Sequence, residues 1–336
     1  MRRNKKNHFF RVCPRGFFLI LFFSMLLFLQ MVPAAQMLVP VGKTAGVIMD
    51  TNGLLVLGTG SVEGEFSPCK GILQEGDILL SAEGRLLENK EMLMELVEQS
   101  RGNAISLRLK RQGMEKDVSV TPVFSAADNT YKIGAWIRDS IQGIGTVTYY
   151  DPITKTFGAL GHGVYDVDTD SLMEIRSGAL VPVELTEIIK GQKGKAGELM
   201  GTIDNSQILA EISENTEAGI FGKGEPAFFG RETVALAEEA QKGEAVFLSD
   251  LEGQGVKAYE IQIESVRKNG GKNHKDLTIC ITDERLLKLS GGIVQGISGS
   301  PILQNGKLVG AVTHVLLNDP SRGYGIFIGN MLEAAG

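Results

Sequence analysis

Two short stretches of the sequence combine a nucleophile or a base with flanking glycines. Ser298 lies in GISGSP (296–301), and His162 lies in LGHGV (160–164). A serine hydroxyl becomes a nucleophile when a histidine takes its proton, and N–H groups must then bind the oxyanion. Glycines before and after Ser298 permit the tight backbone that such donors need. The two stretches therefore predict acyl-transfer chemistry, with the base preceding the nucleophile in the chain.

The serine stretch contains two hydroxyls, those of Ser298 and Ser300. It resembles the Gly-x-Ser-Gly-Gly-Pro signature of chymotrypsin-like proteases, with Ser300 at the second glycine, so position in the signature favours Ser298. We expect the N–H groups of Gly296 and Ser298 to form the oxyanion hole. The nucleophile elbow Gly-x-Ser-x-Gly is disfavoured, because its last glycine is missing and Pro301 follows where a helix should open.

Histidine is scarce, which narrows the choice of a base. Besides His162 the chain has only His8, His274 and His314. His8 lies in a basic N-terminal segment and His274 in a hydrophilic loop, while His314 follows the serine stretch on a predicted strand as a packed or partly exposed residue. Two glycines leave the ring of His162 uncovered, so we predict that it is the base. Taken alone, each motif is also compatible with an ordinary turn.

The N-terminal sequence predicts export. Residues 1–16 carry six basic groups and no acidic group, and residues 17–33 are apolar except for Ser24 and Gln30. A basic segment followed by about 17 apolar residues is typical of a signal peptide or signal anchor. We therefore expect a basic cytoplasmic tail at 1–16, a transmembrane signal anchor or signal peptide at 17–36, and a body outside the cytoplasm.

The composition of the remaining chain excludes some partners. It has 28 basic and 40 acidic residues, and this acidic balance argues against nucleic acid as the main partner. The sequence has no Cys-x-x-Cys motif and no histidine-rich cluster, so we expect no metal and no cofactor. Cys69 and Cys280 could form one disulfide in an exported body, or they could remain unpaired.

Residues 37–125 predict a compact α+β module. The segment NKEMLMELVEQS (89–100) places its apolar residues on one helical face, and DTNG (50–53) between two apolar runs predicts a hairpin. The run SPCKGILQEGDILLSAEGRLL (67–87) resembles the PDZ domains of exported bacterial proteases. That resemblance implies a peptide that adds a strand to an edge of the module. The peptide-binding loop would be VGKTAGV (41–47), with contacts at Gly42, Thr44, Gly46 and Val47.

Residues 126–336 predict a second, mainly β domain. Short apolar or alternating runs such as FGALGH (157–162) and YEIQIESV (259–266) are separated by glycine-rich turns. Many short strands over about 200 residues are typical of a barrel or sandwich. The chain as a whole is therefore predicted to be mainly β, with one membrane segment before the two domains.

These features together resemble the SpoIVB-type serine peptidases of endospore-forming bacteria, peptidase family S55. The resemblance covers nearly the whole chain and rests on LGHGV (160–164), VQGISGSPILQNGKLVGAVTHV (294–315) and NDPSRGYGI (318–326). It implies a chymotrypsin-like double β-barrel. The family histidine and serine correspond to His162 and Ser298.

The family resemblance also implies a catalytic acid, which corresponds to Asp283 in CITDERLL (280–287). In most chymotrypsin-like enzymes the acid lies well before the serine in the sequence. By that layout Asp204 is the alternative, and Asp250 is a third candidate. The sequence leaves the choice among these three carboxylates open.

The family resemblance implies a signalling role in sporulation. The expected enzyme is a serine endopeptidase in the inner forespore membrane, with its catalytic body in the space between the two membranes. It would cleave itself, with release from the membrane, and cleave a regulator of a membrane-embedded protease, which triggers sigma-factor activation. Its expected partners are this regulator, the membrane, and its own N-terminal region. The alternatives are an inactive exported PDZ scaffold and a general extracytoplasmic quality-control protease, whose PDZ domain usually follows the protease domain.

Overall fold

Antiparallel strands make up most of the chain. The structure is a computed structural model that describes residues 36–64, 66–166, 171–237, 239–267 and 274–336. Its strands are β1 (Met37–Pro40), β2 (Thr44–Thr59), β3 (Ile78–Ala82), β4 (Arg85–Leu86), β5 (Ile105–Arg111), β6 (Met114–Val120), β7 (Val123–Ser125), β8 (Thr130–Lys132), β9 (Ala135–Asp151), β10 (Thr156–Ala159), β11 (Ile175–Val181), β12 (Val183–Ile189), β13 (Gly197–Ile203), β14 (Ala210–Thr216), β15 (Gly219–Gly224), β16 (Val234–Ala235), β17 (Gly243–Ser249), β18 (Lys257–Val266), β19 (Leu277–Ile281), β20 (Val294–Gln295), β21 (Pro301–Gln304), β22 (Lys307–Val315) and β23 (Arg322–Phe327). Its helices are α1 (Lys90–Gln99), α2 (Pro226–Phe229), α3 (Glu284–Ser290) and α4 (Ile328–Ala334).

Six strands close the first barrel. They pair in the order β2, β9, β10, β15, β14 and β11, and β11 pairs back to β2. Apolar side chains from alternate positions fill its interior, including the buried Val47, Met49, Tyr150, Phe157 and Ile220. The barrel carries the segment that leads from β10 to His162.

A second group of six strands closes another barrel, in the order β17, β18, β19, β23, β22 and β21. Strand β18 shows why these residues form a barrel wall. Tyr259, Ile261 and Ile263 are buried, and the residues between them are more exposed, as expected for a half-buried strand. The two six-stranded barrels confirm the predicted chymotrypsin-like double β-barrel.

A PDZ-type α+β module is built on β3, β5, β6 and α1. The helix begins after Asn89, whose side chain accepts a hydrogen bond from the Met92 N–H (2.9 Å). It buries Leu93, Leu96 and Val97 in the core of this module. The predicted helix and the mainly β class with a PDZ module are therefore confirmed.

The structure places this module differently from the predicted span 37–125. Strand β1 and the first half of β2 belong to the first barrel, where residues 46–51 pair with β11. The segment DTNG (50–53) does not turn into a hairpin, because β2 continues through it with a shift of register opposite β9. The module therefore lies between the second half of β2 and the start of β9, as an insertion into the barrel.

The N-terminal predictions fall almost wholly outside the described residues. This applies to the basic tail at 1–16 and to the membrane segment at 17–36 except for residue 36. Within residues 36–336, apart from the undescribed gaps, no helix has the length and apolar character needed to cross a membrane.

Both cysteines of the described body are free thiols. Cys69 is buried in the PDZ-type module, and Cys280 is half-buried in the second barrel. Burial raises the pKa of the Cys69 thiol to about 12. This thiol therefore stays protonated and unreactive at neutral pH.

A buried ion pair joins the start of β3 to the end of β5 in the module. The Arg111 Nε and Nη2 groups each donate to the Asp77 carboxylate at 2.6 Å, and the Asp77 side chain is 1% exposed. Removing one partner of a buried pair leaves the other charge unpaired and lowers the free energy of unfolding by about 3–5 kcal/mol. We predict that Asp77→Ala lowers the free energy of unfolding by about 3 kcal/mol in urea denaturation.

The matched control for this prediction is Asp117→Ala. Asp117 pairs with Arg108 at the surface, where both side chains are more than half exposed. Solvent screens such a pair, so this variant should unfold close to the wild type. Equal losses of stability in the two variants would contradict a structural role for the buried pair.

Candidate active site

Ser298 lies on a tight turn between β20 and β21. Gly296 and Gly299 adopt φ angles of +102° and +95°, a region that residues with a side chain rarely enter. A Cβ atom at Gly299 would lie 2.0 Å from the Thr146 carbonyl oxygen, so this turn packs directly on β9. The glycines of the serine stretch are therefore required by backbone conformation and by close contact with the other barrel.

Thr146 of β9 holds the serine turn from the first barrel. Its N–H donates to the Ser298 carbonyl (3.0 Å), and its Oγ1 donates to the Gly296 carbonyl (2.8 Å). Its own carbonyl accepts a hydrogen bond from the Leu160 N–H (3.1 Å). One residue therefore ties the nucleophile turn to the segment that carries His162.

The same arrangement leaves two backbone donors available beside Ser298. The carbonyls of Gly296 and Ser298 both point to Thr146, and within the described ranges the N–H groups of Gly296 and Ser298 have no acceptor. Free N–H groups next to a serine hydroxyl can bind a developing oxyanion. The geometry is compatible with the oxyanion hole predicted from the sequence.

His162 follows β10 on a turn that is closely packed on both sides. A Cβ atom at Gly161 would lie 3.1 Å from the Thr313 side chain, and one at Gly163 would lie 2.6 Å from the Thr216 carbonyl. The Nδ1 atom of His162 lies 2.8 Å from the Gly163 carbonyl oxygen. Since a carbonyl only accepts, Nδ1 carries the hydrogen and Nε2 of the neutral ring keeps its lone pair.

The environment favours the neutral form of this ring. Burial lowers the pKa of His162, and the hydrogen bond to the Gly163 carbonyl opposes that shift only in part. A neutral imidazole with a free Nε2 lone pair is the form that a general base requires. The local structure of His162 therefore suits the role predicted for it.

Ser298 and His162 line one cleft of about 380 Å³. The other described lining residues come from both barrels and are mainly apolar, including Val47, Met49, Ile141, Ile144, Leu160, Val164, Ile293, Val294 and Val315. In this conformation the Ser298 hydroxyl donates to the Thr313 carbonyl (2.6 Å). Proton transfer to His162 therefore requires the hydroxyl to turn away from that carbonyl.

Asp283 does not reach His162, which corrects its predicted role as the orienting acid. Its carboxylate caps α3, accepting from the N–H groups of Arg285 (2.9 Å) and Leu286 (3.3 Å). The Arg285 guanidinium also donates to it at 2.6 Å, and this hydrogen bond lowers the pKa of Asp283 to about 2. The family match at this position corresponds to a helix cap in this structure.

The two alternative acids also lie elsewhere. Asp204 is exposed and accepts a hydrogen bond from the Ser206 N–H (2.9 Å), and Asp250 accepts one from the Gly255 N–H (3.2 Å). The described residues that line the cleft include no carboxylate. The base is therefore oriented by the Gly163 carbonyl, as far as the described part of the chain shows.

The structure also separates the remaining candidates. Ser300 is 0% exposed and its hydroxyl has no partner in the described residues, so a substrate carbonyl cannot reach it. His274 does not line the cleft, whereas His314 does. Sequence reasoning missed the positions of Thr146 and His314, because each acts through residues that are distant in the chain and neither carries a local motif.

The predicted peptide-binding loop is corrected as well. The four residues proposed for it precede or form the first half of β2: Gly42, Thr44, Gly46 and Val47. Val47 pairs with Leu180 on one side and Gly143 on the other, and the Thr44 hydroxyl donates to the Asp250 carbonyl (2.7 Å). Both edges of this strand are occupied, so no peptide can add there.

An open groove lies at the other end of the same strand pair. Residues 135–137 of β9 pair with β2 on one edge only, and their second edge faces α1 across a groove of about 420 Å³. Leu93, Met94 and Val97 form the helical wall. An unpaired strand edge beside an apolar helix face accepts an extended peptide. This groove replaces the loop at 41–47 as the candidate peptide site.

Comparison with known proteins gives one family match. The model of the family described as SpoIVB peptidase S55 matches residues 129–332, which is more than half of the chain. No curated protein matches the chain in sequence.

Several solved structures are similar to parts of the chain. The Rv3671c protease from M. tuberculosis in its active form is 17% identical, with a TM-score of 0.34, over 58% of this chain and 75% of that one. The HtrA-type protease AlgW with decapeptide is 10% identical, with a TM-score of 0.36, over 88% of this chain and 64% of that one. The PDZ domain of the SdrC-like protein from Listeria monocytogenes is 14% identical, with a TM-score of 0.23, over 26% of this chain and 87% of that one.

The role of Asp283 can be tested by separating stability from chemistry. Asp283→Ala should lower the free energy of unfolding by about 1–2 kcal/mol at pH 7, because α3 loses its cap. The pKa of Asp283 is depressed in the folded chain, so its stabilisation is present above the unfolded pKa of about 3.9. That stabilisation is lost as the pH falls toward 2, and the difference between wild type and variant should shrink accordingly.

The chemical readout is the rate at which a fluorophosphonate labels the chain. The rate for Asp283→Ala should stay within about twofold of the wild type, whereas loss of an orienting acid costs a triad about 10⁴-fold. Asp283→Asn is the control, because asparagine still caps α3 but carries no charge for Arg285, so it should lose less stability than Asp283→Ala and keep the wild-type labelling rate. A large loss of labelling in both variants would restore Asp283 as the catalytic acid.

Proposed function

The chain belongs to the SpoIVB peptidase S55 family, and we propose that it is a membrane-tethered serine endopeptidase that uses Ser298 and His162. The observation that carries this assignment is the shared cleft. It holds a serine hydroxyl on a glycine-framed turn and a neutral imidazole. Among the described residues, Nε2 of this imidazole and the two N–H groups beside the hydroxyl have no hydrogen-bond partner.

The residues support a stepwise acyl transfer. The Ser298 hydroxyl leaves the Thr313 carbonyl, gives its proton to Nε2 of His162, and forms the Oγ–C bond to the substrate carbonyl. The N–H groups of Gly296 and Ser298 receive the negative charge on the carbonyl oxygen. The imidazolium then protonates the leaving amine as the peptide bond breaks, and water hydrolyses the acyl-enzyme by the reverse proton path.

The cleft walls favour an apolar substrate segment. Ile144, Ile293 and Val315 line the same cleft as the catalytic pair, and no charged side chain is among the described lining residues. A charged substrate residue would lose its hydration there without gaining a partner. Cleavage next to apolar side chains follows from this lining.

The proposal also covers the biological role of the enzyme, namely its substrates and its location. The enzyme cleaves itself and a regulatory membrane protein during sporulation, and thereby triggers sigma-factor activation in the other compartment. Its location is the inner forespore membrane, with the catalytic body in the intermembrane space. The family supports the sporulation role, and the basic and apolar residues of segment 1–36 support the membrane tether.

The groove beside α1 supports a docking step before cleavage. Its open strand edge offers main-chain hydrogen bonds to an extended segment, and the helix wall offers apolar contacts through Leu93 and Met94. The proposed occupant is the apolar N-terminal region of this chain, which is also the proposed site of self-cleavage. The alternative of an inactive scaffold does not explain the free donors around Ser298.

Self-cleavage gives the direct test of the nucleophile. The full wild-type chain should lose its N-terminal region with time, as followed by mass spectrometry, and should also digest an unfolded fluorescent protein. Ser298→Ala should abolish both activities. Ser300→Ala should retain both within about threefold, because the buried Ser300 hydroxyl only packs inside the turn. Cleavage by Ser298→Ala would overturn the assignment.

The docking step is tested at the helix wall of the groove. Met94 is 64% exposed there, and Met94→Glu should weaken binding of a fluorescent peptide of residues 27–36 by about tenfold in anisotropy measurements. The protein would be the chain lacking residues 1–36 with Ser298→Ala. Met114→Glu is the matched control, since Met114 is 60% exposed but outside the groove. Equal weakening by both changes would contradict docking in this groove.

A further inference from the structure

A second imidazole lies against the catalytic base. His314 follows Thr313 on β22, and its ring centroid is 4.9 Å from that of His162, with the ring planes inclined by 39°. Both rings line the catalytic cleft, while the outer side of His314 is exposed at the rim. The residue that accepts the Ser298 hydrogen bond is thus followed directly by a residue that contacts the base.

The surroundings of this imidazole pair are mainly apolar. The first barrel presents Ile141, Ile144 and Leu160 to the cleft, and the second presents Ile293 and Val315. Apart from His162, the charged group that acts on His314 is Lys275, whose ammonium lies 4.8 Å from the centre of the Tyr324 ring. The titratable groups to consider are therefore the two histidines and this lysine.

The reaction places two demands on His162. The ring must be neutral before the attack, and it must keep its orientation while it becomes an imidazolium. In a triad a carboxylate meets the second demand. Here the Gly163 carbonyl binds the Nδ1–H, but a hydrogen bond to one carbonyl does not itself cover either face of the ring.

We propose that His314 is a positioning residue of this peptidase site, whose ring lies against that of His162 and keeps water from that side of it. The contact also restricts rotation of His162, so that its Nδ1–H stays on the Gly163 carbonyl. No proton passes through His314. The proposal rests on the function assigned to Ser298 and His162 above.

His314 must itself be neutral to serve this purpose. Burial of its inner side against the cleft wall lowers the pKa of His314 first, and the nearby His162 and Lys275 charges lower it further. A neutral ring presents a π-face that tolerates the imidazolium of the reaction, whereas a protonated His314 would repel it. The pair therefore holds a single positive charge during catalysis.

The test measures the fluorophosphonate labelling rate of the full chain from about pH 4 to pH 9. In His314→Ala, water reaches His162, whose pKa should rise toward its ordinary value of about 6.5. The acidic midpoint of the rate profile should therefore move up by about half to one pH unit, and the plateau rate should fall about tenfold. His314→Phe keeps an aromatic cover, so its midpoint should stay near the wild type and its plateau within about threefold.

His274→Ala is the matched control, because this histidine lies outside the cleft and its removal should leave the profile unchanged. A wild-type profile in His314→Ala would overturn the proposal, and so would an equal shift or a loss of labelling in His314→Phe. If His314→Ala fails to fold by circular dichroism, His314→Val replaces it with the same expectations. A wild-type chain that is unlabelled at every pH would instead overturn the assigned function itself.

Discussion

The active site depends on the hydrogen bonds that Thr146 makes across the two barrels. The base comes from the first barrel and the nucleophile from the second, so their relative position is set by the contact between them. Thr146 binds the carbonyls of both Ser298 and Gly296, and its own carbonyl binds the Leu160 N–H. A typical hydrogen bond contributes about 1 kcal/mol net, but these bonds also turn the two carbonyls away from the cleft and leave the N–H groups free.

The peptide groove and the catalytic cleft are built on the same strand. Residues 135–137 of β9 form the open edge beside α1, whereas Ile141, Gly143 and Ile144 line the cleft. At a rise of about 3.3 Å per residue, the centres of the two sites lie roughly 20 Å apart along β9. The inserted module is thus joined to the barrel by two continuous strands, which limits its freedom relative to the cleft.

The sequence was informative where a local requirement leaves a local pattern. Helix α1 follows from an amphipathic run behind an asparagine cap, and Ser298 and His162 stand out because their turns require glycine. It was uninformative where distant strands meet. The carboxylate of Asp283 has the same sequence context whether it caps a helix or orients a histidine, and only its contact with Arg285 distinguishes the two. The peptide-binding site was predicted at the wrong end of β2, because this strand runs from the first barrel into the PDZ-type module. No local break in its sequence marks the boundary between the two domains.

Activation of Ser298 by His162 in the cleft between the barrels is tested most directly by peptide-level mass spectrometry. The chain is treated with a fluorophosphonate in the wild type and in His162→Ala. We expect a phosphonyl adduct on Ser298 in the wild type and almost none in His162→Ala. An adduct on another serine, or equal modification of Ser298 without His162, would contradict it.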